Sequence, residues 1–382
     1  MKSITWARVN AMTTVLILWL GIWGLLPNEV KAQSGQQAVK APKYELDPFW
    51  PKPLPNRWGL GTVGSVCVDA QDHVFIVSRG VLYGKELGLM TVPPPVIEFD
   101  PDGNVVNAWG DRQLMANTQH GCFVDNEGNF WTAGNHDGIV QKYTHDGSKM
   151  LLQIGTRGKF DSADDTDSRV TEMWAMNSSH VFLNSPTQVA VDPTNGDVYI
   201  SDGYGNRRVV VFDREGHYLR QWGRQGTLAE TEAGVGGVFL KPVHCVAISH
   251  DGLVYVCDRY GDRIEVFDKM GNFKRNILVE SDTARAPSRQ RTPGALDVVG
   301  SACWVAFSPD PAQRFLIDAD CGDDEIRILD RATGQAISSF GRPGNQAGEF
   351  LDPHSLAVDS KGNIIVGEVP AGGKLQMWRL VR

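Results

Sequence analysis

The sequence predicts an all-β chain that folds as a six-bladed β-propeller. Residues 183–223 and 239–279 share one plan, in which four short strands are separated by turns that contain glycine. The plan recurs at residues 64–110, 119–155, 300–341 and 351–381, which makes six units in all. Alternating apolar and polar residues are typical of strands, and about six four-stranded units close into a ring around a central channel.

The sixth unit is one strand short. HSLAVD, IIVGEV and KLQMWRLV account for three strands before the chain ends. Asn56-Arg57-Trp58-Gly59 resembles Gln221-Trp222-Gly223, which ends a fourth strand elsewhere. We therefore expect residues 57–61 to pair with the final strand, residues 374–381, since this pairing would close the last blade and cover its open edge.

The N-terminus has the features of a signal peptide, which we assign to residues 1–32. Lys2 and Arg8 precede an apolar stretch at residues 11–26, and Val30-Lys31-Ala32 follows as a cleavage site before Gln33. The sequence thus predicts an exported protein, periplasmic or secreted, with a flexible segment at 33–42 and the propeller at 43–382. No membrane association is expected after cleavage; the alternative is an uncleaved N-terminal anchor.

Composition and cysteine content narrow the class of protein. The chain has 382 residues, 42% of them hydrophobic, and a net charge of −8 without a basic run, which argues against a nucleic-acid partner. Export permits disulfides. Cys245 and Cys257 flank one hairpin and Cys303 and Cys321 another, so each pair is either a disulfide or two buried thiols.

Three histidines occupy one position in alternate units. His120, His244 and His354 lie at the start of the first strand of units two, four and six, while the other units have Gly64, Thr187 and Cys303 there. First strands line a propeller's channel, so the three imidazoles would converge and bind zinc with a position left open. Alternatively, each histidine packs in the channel wall; Cys303 is either a further ligand or a small buried residue.

Two turns at the same mouth carry Tyr204, after the second strand of unit three, and Arg79, which we place at the equivalent position of unit one. A tyrosine beside a metal cation ionises more readily and can act as a base, and an arginine can hold a carboxylate. Tyr260 occupies the same slot as Tyr204 in the next unit, so Tyr204 could simply be a repeat residue, and Arg79 could form a surface ion pair. The long connections at residues 156–180 and 280–299 are expected to shape a pocket.

The run PTQVAVDPTNGDVYISDGYGNRRVVVFDREGHYLRQWG resembles the peptidyl-α-hydroxyglycine α-amidating lyases, which are six-bladed propellers of the NHL-repeat group. The resemblance covers essentially the whole mature chain. It implies a zinc ion on His120, His244 and His354, with Tyr204 as catalytic base and Arg79 as active-site arginine. It also implies a calcium ion bound by the backbone carbonyls of Val66 and Cys122.

By this resemblance, the substrate is a small molecule or peptide with an α-hydroxyglycine group, cleaved to an amide and glyoxylate. Three positions depart from the family: Ser355 replaces the acidic calcium ligand, Asp352 replaces a methionine and Gly205 replaces a cysteine. The main rival is a non-enzymatic NHL propeller that binds or scaffolds other molecules. A calcium-dependent sugar-lactone hydrolase is a further rival, but it would need carboxylates that the channel ring lacks.

Overall fold

Each repeat unit folds into a four-stranded antiparallel sheet. The structure is a computed structural model that describes residues 40–162, 176–279, 300–369 and 373–382, and these contain six such sheets. The prediction of a six-bladed, all-β propeller is confirmed. The sixth sheet is completed by an N-terminal strand, β1 (Lys43–Leu46), which precedes blade 1 in the chain.

Five blades use four consecutive strands in chain order. Blade 1 contains β2 (Val63–Val68), β3 (Val74–Ser78), β4 (Val96–Phe99) and β5 (Val105–Trp109). Blade 2 contains β6 (Gln119–Val124), β7 (Phe130–Gly134), β8 (Ile139–Tyr143) and β9 (Met150–Ile154). Blade 3 contains β10 (Pro186–Val191), β11 (Val198–Asp202), β12 (Arg208–Phe212) and β13 (Tyr218–Trp222).

The second half of the ring repeats this order after a short parallel pair, β14 (Arg224–Gln225) and β15 (Val238–Phe239). Blade 4 contains β16 (Val243–Ile248), β17 (Leu253–Asp258), β18 (Arg263–Asp268) and β19 (Phe273–Leu278). Blade 5 contains β20 (Ala302–Phe307), β21 (Phe315–Asp320), β22 (Glu325–Asp330) and β23 (Ala336–Phe340). Blade 6 contains β24 (Pro353–Val358), β25 (Ile364–Glu368), β26 (Leu375–Val381) and β1.

The helices are short and lie outside the sheets. They are α1 (Glu86–Leu89), α2 (Leu228–Glu232) and the 3₁₀ turns Pro55–Arg57 and Arg259–Gly261. In α2, Thr227 and Glu230 form a reciprocal capping box, which satisfies donors at the helix start. Within the ranges described above, no helix combines the length and apolar character needed to cross a membrane.

The prediction that residues 57–61 close the ring is wrong, although an N-terminal strand does complete the last blade. β1 pairs with β26 from Lys43↔Val381 to Leu46↔Trp378. Residues 57–61 do not pair with β26, because Asn56 and Arg57 both have positive φ in the 3₁₀ turn. That left-handed backbone is incompatible with an extended strand. The side chain of Arg379 adds an ion pair to Asp47, with Nη2 and Oδ2 2.9 Å apart.

The blades pack through apolar side chains between neighbouring sheets. Val63, Val66 and Ile76 of blade 1 form a buried cluster with Ile365 and Met377 of blade 6. Similar clusters join blades 3 and 4 and blades 2 and 3. Because each sheet buries both faces against its neighbours, the inner strands read as nearly continuous apolar runs.

All six cysteines form disulfides. Cys245 pairs with Cys257 and Cys303 with Cys321, each across one hairpin. Of the two interpretations left open by the sequence, the structure has the disulfides and not the free thiols. Cys67 pairs with Cys122, which links the inner strands of blades 1 and 2 and was not anticipated.

Several sequence predictions fall on other parts of the chain. The signal peptide at 1–32 and most of the flexible segment at 33–42 lie outside the described residues. So do residues 163–175 and 280–299 of the two long connections. These assignments stay predictions.

Ring closure can be tested by deletion. Removing residues 1–46 eliminates β1, including Tyr44, whose ring centroid lies 5.3 Å from that of Phe340. We expect the free energy of unfolding to fall by about 3 kcal/mol, the order expected for losing two partly buried large side chains, and unfolding to become less cooperative. The measurement is chemical denaturation followed by tryptophan fluorescence. Deletion of residues 1–39, purified by the same route, is the control; equal stability of the two proteins would contradict the closing role of β1.

Candidate active site

A β-bulge positions the first-strand residue of every blade. The pairing register between first and second strands shifts across one residue in all six sheets. The skipped residues are the ring predicted from the sequence, namely Gly64, His120, Thr187, His244, Cys303 and His354. A bulge releases a residue from the ladder and redirects its side chain, so the local backbone turns each of these positions toward the channel.

The three histidines meet in the channel as a nearly equilateral triangle. Ring centroids are separated by 4.7 Å between His120 and His244, 4.5 Å between His120 and His354, and 4.9 Å between His244 and His354. Their ligand nitrogens all lie within 4.8 Å of one another. Each side chain is at most 2% exposed. The structure therefore brings together the three residues that the sequence selected.

Backbone carbonyls of the next blade fix each imidazole in one tautomer. Nδ1 of His120 lies 3.0 Å from the oxygen of Thr187, Nδ1 of His244 2.7 Å from that of Cys303, and Nδ1 of His354 3.0 Å from that of Gly64. A carbonyl oxygen can only accept, so every Nδ1 donates and every Nε2 presents a lone pair to the channel. Such an arrangement orients metal-binding histidines.

None of the three Nε2 atoms carries a proton in the neutral imidazoles. Nε2 of His120 and His354 are 3.2 Å apart, and Nε2 of His244 is buried with no hydrogen-bond partner among the described residues. Burial and the nearby guanidinium groups hold the pKa of all three imidazoles well below 6.5. Three neutral, convergent acceptors repel one another unless a cation lies among them, so the residues fit a zinc ion with three protein ligands.

Tyr204 lies beside this triangle. Its hydroxyl is 3.4 Å from Nε2 of His120, and its ring centroid is 6.0 Å from that of His244. Burial raises the pKa of the Tyr204 phenol, and the charges of Arg259 and Arg79 oppose that rise. The hydroxyl therefore sits where a cation at the triangle and two guanidinium groups would favour its ionised form.

Arg79 reaches the same mouth, but from a slot one residue earlier than the sequence comparison assumed. It directly follows Ser78, the last residue of β3, and is thus equivalent to Gly203 and not to Tyr204. Its Nε donates to the oxygen of Gln119 at 3.0 Å, and its buried Nη2 has no partner. One face of this guanidinium is anchored and the other is available to a ligand.

Arg259 is a site residue that sequence reasoning missed. It follows Asp258, the last residue of β17, and so occupies the same repeat position as Arg79. Its Nη1 lies 3.4 Å from the hydroxyl of Tyr204, and its Nε is buried without a partner. An alignment on second-strand ends would have found it, since arginine stands at this position only in blades 1 and 4.

Asp352 and Trp304 complete the surroundings. Oδ1 of Asp352 lies 4.0 Å from Nη2 of Arg259 and has no hydrogen-bond partner in the part of the chain that the structure describes. Trp304, which directly follows Cys303, has its ring centroid 6.2 Å from His244 and 6.3 Å from His354. A carboxylate thus faces the arginines at the position where the resembling family has methionine.

The remaining predicted residues have other surroundings. Cys303 is bonded to Cys321, so its sulfur is not a metal ligand. Val66 and Cys122 hold equivalent places in β2 and β6. Ser355 offers only a buried hydroxyl, without a partner, where the resemblance calls for a carboxylate. Calcium sites are built largely from carboxylates and other oxygens, so this donor set is poorer than the family's, and the calcium ion stays a prediction.

Comparison with known proteins agrees with the repeat pattern. Residues 183–212 match the NHL repeat family. The chain is 26% identical over 353 residues to peptidyl-glycine alpha-amidating monooxygenase B of Xenopus laevis, covering 88% of this chain and 35% of that protein. It is 26% identical over 343 residues to peptidyl-alpha-hydroxyglycine alpha-amidating lyase 1 of Drosophila melanogaster, covering 84% and 57%. The chain therefore spans about a third of the amidating monooxygenase and over half of the lyase.

Other relatives share the repeat without an activity in their names. NHL repeat-containing protein 3 of Homo sapiens is 26% identical over 343 residues, which cover 86% of this chain and 82% of that protein. Among solved structures, a streptogramin B lyase superimposes with a TM-score of 0.52 at 11% identity, covering 88% of this chain and 98% of that one, and so supports the fold alone. The chain is thus a six-bladed propeller with a segment that matches the NHL repeat, and its sequence is similar to those of peptidyl-α-hydroxyglycine α-amidating lyases.

Proposed function

We propose that this protein is a zinc-dependent lyase that cleaves an α-hydroxyglycine-type carbinolamide, R-CO-NH-CH(OH)-COO⁻, to the amide R-CO-NH₂ and glyoxylate. The observation that carries the proposal is the buried triangle of three unprotonated Nε2 atoms with Tyr204 beside it. His120, His244 and His354 would hold the zinc ion. When bound, zinc supplies Lewis acidity at this point of the channel.

The residues of the chain account for the proton movements of such a cleavage. Tyr204, as tyrosinate, takes the proton of the substrate hydroxyl. The electrons of that O–H bond then form the aldehyde C=O of glyoxylate as the C–N bond breaks. The leaving amide nitrogen then receives a proton, which Tyr204 returns. Acid and base are therefore the same residue in its two protonation states, and no co-reactant is needed.

Arg79 and Arg259 suit the substrate carboxylate. Each has a buried N–H without a partner in the described structure, and both lie near Tyr204. A carboxylate bound between two guanidinium groups forms charge-assisted hydrogen bonds. This contact would place the adjacent hydroxyl carbon toward Tyr204 and the histidine triangle. Binding of the carboxylate would thereby hold the reacting groups in the geometry that the cleavage requires.

A second candidate is a non-enzymatic propeller that binds another molecule. The observation in its favour is the relation to human NHL repeat-containing protein 3, of which the aligned region covers 82%, more than of the amidating enzymes. This candidate needs neither zinc nor turnover. The two are separated by whether zinc-loaded protein releases glyoxylate from α-hydroxyhippurate.

We also propose that the protein is exported, with residues 1–32 removed. Three disulfides in one chain are typical of proteins that fold in an oxidising compartment. N-terminal sequencing of the protein from its native cells would test the cleavage point after Ala32.

The channel zinc depends on His244. His244→Ala should lower the zinc content by about one ion per chain, because it removes one of three ligands from a buried site. The zinc content per chain is measured by inductively coupled plasma mass spectrometry after dialysis. The matched control is His250→Ala, which changes an exposed histidine six residues away. Unchanged zinc in His244→Ala would exclude the triangle as a metal site.

The role of Tyr204 is tested by removing one oxygen atom. Tyr204→Phe should retain zinc and lose about 10²–10⁴-fold in turnover, the usual cost of removing a general base. Glyoxylate release from α-hydroxyhippurate is the readout. Tyr260→Phe, at the equivalent position of the next blade, serves as control and should keep its activity. If the two variants turn over at the same rate, Tyr204 is not the base.

Arg259 and Asp352 should have opposite effects on substrate binding. Arg259→Ala should raise KM by about 10- to 100-fold, the range for losing a hydrogen bond to a charged group. Asp352→Asn should lower KM, because the Asp352 carboxylate competes with that of the substrate for the guanidinium. Both are measured from initial rates at matched zinc content. A rise in KM in both variants would mean that Asp352 supports substrate binding instead.

A further inference from the structure

A second group of potential metal ligands lies between blades 1 and 2, at the far end of the inner strands. It consists of Asp69 and His73 in the β2–β3 turn, Glu98 in β4, and His145 in the β8–β9 turn. We call these four residues the inter-blade cluster. Asp69 lies five residues beyond Gly64, so at about 3.3 Å per strand residue it is ~16 Å along the chain from the residue whose oxygen orients His354.

The four side chains form two hydrogen-bonded pairs. Nδ1 of His73 donates to Oε1 of Glu98 at 2.6 Å, and Nε2 of His145 donates to Oδ2 of Asp69 at 2.9 Å. Ligand atoms of Asp69, His73 and Glu98 all lie within 4.8 Å of one another. Oδ1 of Asp69 accepts the backbone N–H groups of Gln71 and His73. The turn is thereby held rigid, with Oδ2 directed at the imidazole.

In blade 2, the aspartate equivalent to Asp69 has two positively polarised partners. By strand register, Asp69, His73 and Glu98 correspond to Asp125, Asn129 and Lys142. In blade 2, Oδ2 of Asp125 accepts from the Trp131 indole at 2.8 Å and pairs with the Lys142 ammonium at 3.3 Å. The lysine therefore balances the charge of the aspartate.

Blade 1 replaces both of those partners. Phe75 stands where blade 2 has Trp131, and Glu98 stands where it has Lys142. The other four blades have apolar residues at the position of Glu98, namely Val211, Val266, Ile328 and Met377. A buried glutamate at a position that is otherwise apolar or basic is costly unless it has a specific partner.

The charge of the cluster is not balanced by a basic side chain. Asp69 is 9% and Glu98 5% exposed. In the described parts of the chain, the ion-pair partners of these two carboxylates are His145 and His73, and neither a lysine nor an arginine joins them. Two buried carboxylates beside two imidazoles form a donor set that a divalent cation neutralises.

We propose that the inter-blade cluster binds a second zinc ion. Imidazole nitrogen and carboxylate oxygen are zinc ligands, and bonds of about 2.0–2.1 Å in a tetrahedral site put neighbouring ligand atoms ~3.3 Å apart. The His73–Glu98 and His145–Asp69 contacts need to open by less than about 1 Å to reach that spacing. His73, Glu98 and Asp69 supply three ligands from blade 1. The hydrogen bond from His145 to Asp69 links this site to blade 2.

The test uses the full chain in a His244→Ala background, which removes the channel zinc. After equilibrium dialysis against buffered zinc, this protein should keep about one zinc per chain, and wild type about two. Adding Glu98→Gln should weaken the remaining zinc at least tenfold. The matched control is His73→Asn with Glu98→Lys, which copies the Asp–Asn–Lys arrangement of blade 2 and should fold without the ion. Added zinc should raise the Tm of the His244→Ala protein and leave that of the double replacement unchanged.

The outcomes are separable from those for the proposed function. A wild type with one zinc, lost on His244→Ala, would overturn the inter-blade site and leave the lyase proposal standing. Zinc retained at full affinity by Glu98→Gln, or by the blade 2 copy, would also overturn it. Two zinc ions in a protein without lyase activity would support the site and reject the proposed function.

Discussion

Closure of the ring is the constraint on which the active site depends. β1 completes blade 6 by pairing with β26, and blade 6 packs against blade 1. The histidine triangle crosses this junction, because Nδ1 of His354 donates to the oxygen of Gly64, 290 residues away. Each of the other two histidines bonds in the same way to the blade that follows it. The triangle is therefore a property of the closed ring, and an open chain of six blades would not form it.

A second repeated interaction holds the turns that carry Tyr204 and Arg259. The acid that ends the second strand pairs with a base in the third strand, as in Asp202 with Arg208 at 3.0 Å and Asp258 with Arg263 at 3.1 Å. The same acids accept backbone N–H groups from the preceding loop, at Asn184 and Leu240. Burial raises the pKa of Asp258 to about 6 despite its arginine. Buried ion pairs add little net stability, so their value here is that they fix the turns against the channel mouth.

Much of this architecture could be predicted because the repeats are periodic. Equal spacing identified the six blades and the residue of each that faces the channel. The bulge at that residue turns its side chain inward, so one histidine in every second blade is enough to bring three imidazoles together. The closing strand could not be located in the same way. Lys43–Leu46 is four residues long and carries no glycine turn, whereas Trp58-Gly59 copied the end of a strand in a segment whose backbone is left-handed.

Two features of the structure were not predicted from the sequence, for different reasons. Arg259 was overlooked because Arg79 was placed beside Tyr204, one residue out of register, so its true counterpart in blade 4 was not sought. The Cys67–Cys122 disulfide joins two hairpins 55 residues apart, and spacing within one hairpin gave no sign of it. For the disulfide, the missing information was which strands are neighbours in space, and local sequence does not contain it.

The two candidate metal centres share one structural element, the interface between blades 1 and 2. Cys67 lies three residues after Gly64, whose oxygen orients His354, and two before Asp69 of the inter-blade cluster. Its partner Cys122 lies two residues after His120 in β6. The disulfide thus fixes β2 against β6 between the two sites. Both sites have a contact across this interface, from Arg79 to the oxygen of Gln119 and from His145 to Asp69. A repeat protein distributes its stability over similar interfaces, yet this interface carries a covalent link that no other pair of blades has. Departures from the repeat at Glu98, His73 and the two cysteines therefore concentrate at this one interface, where the disulfide sets the position of β2 against β6.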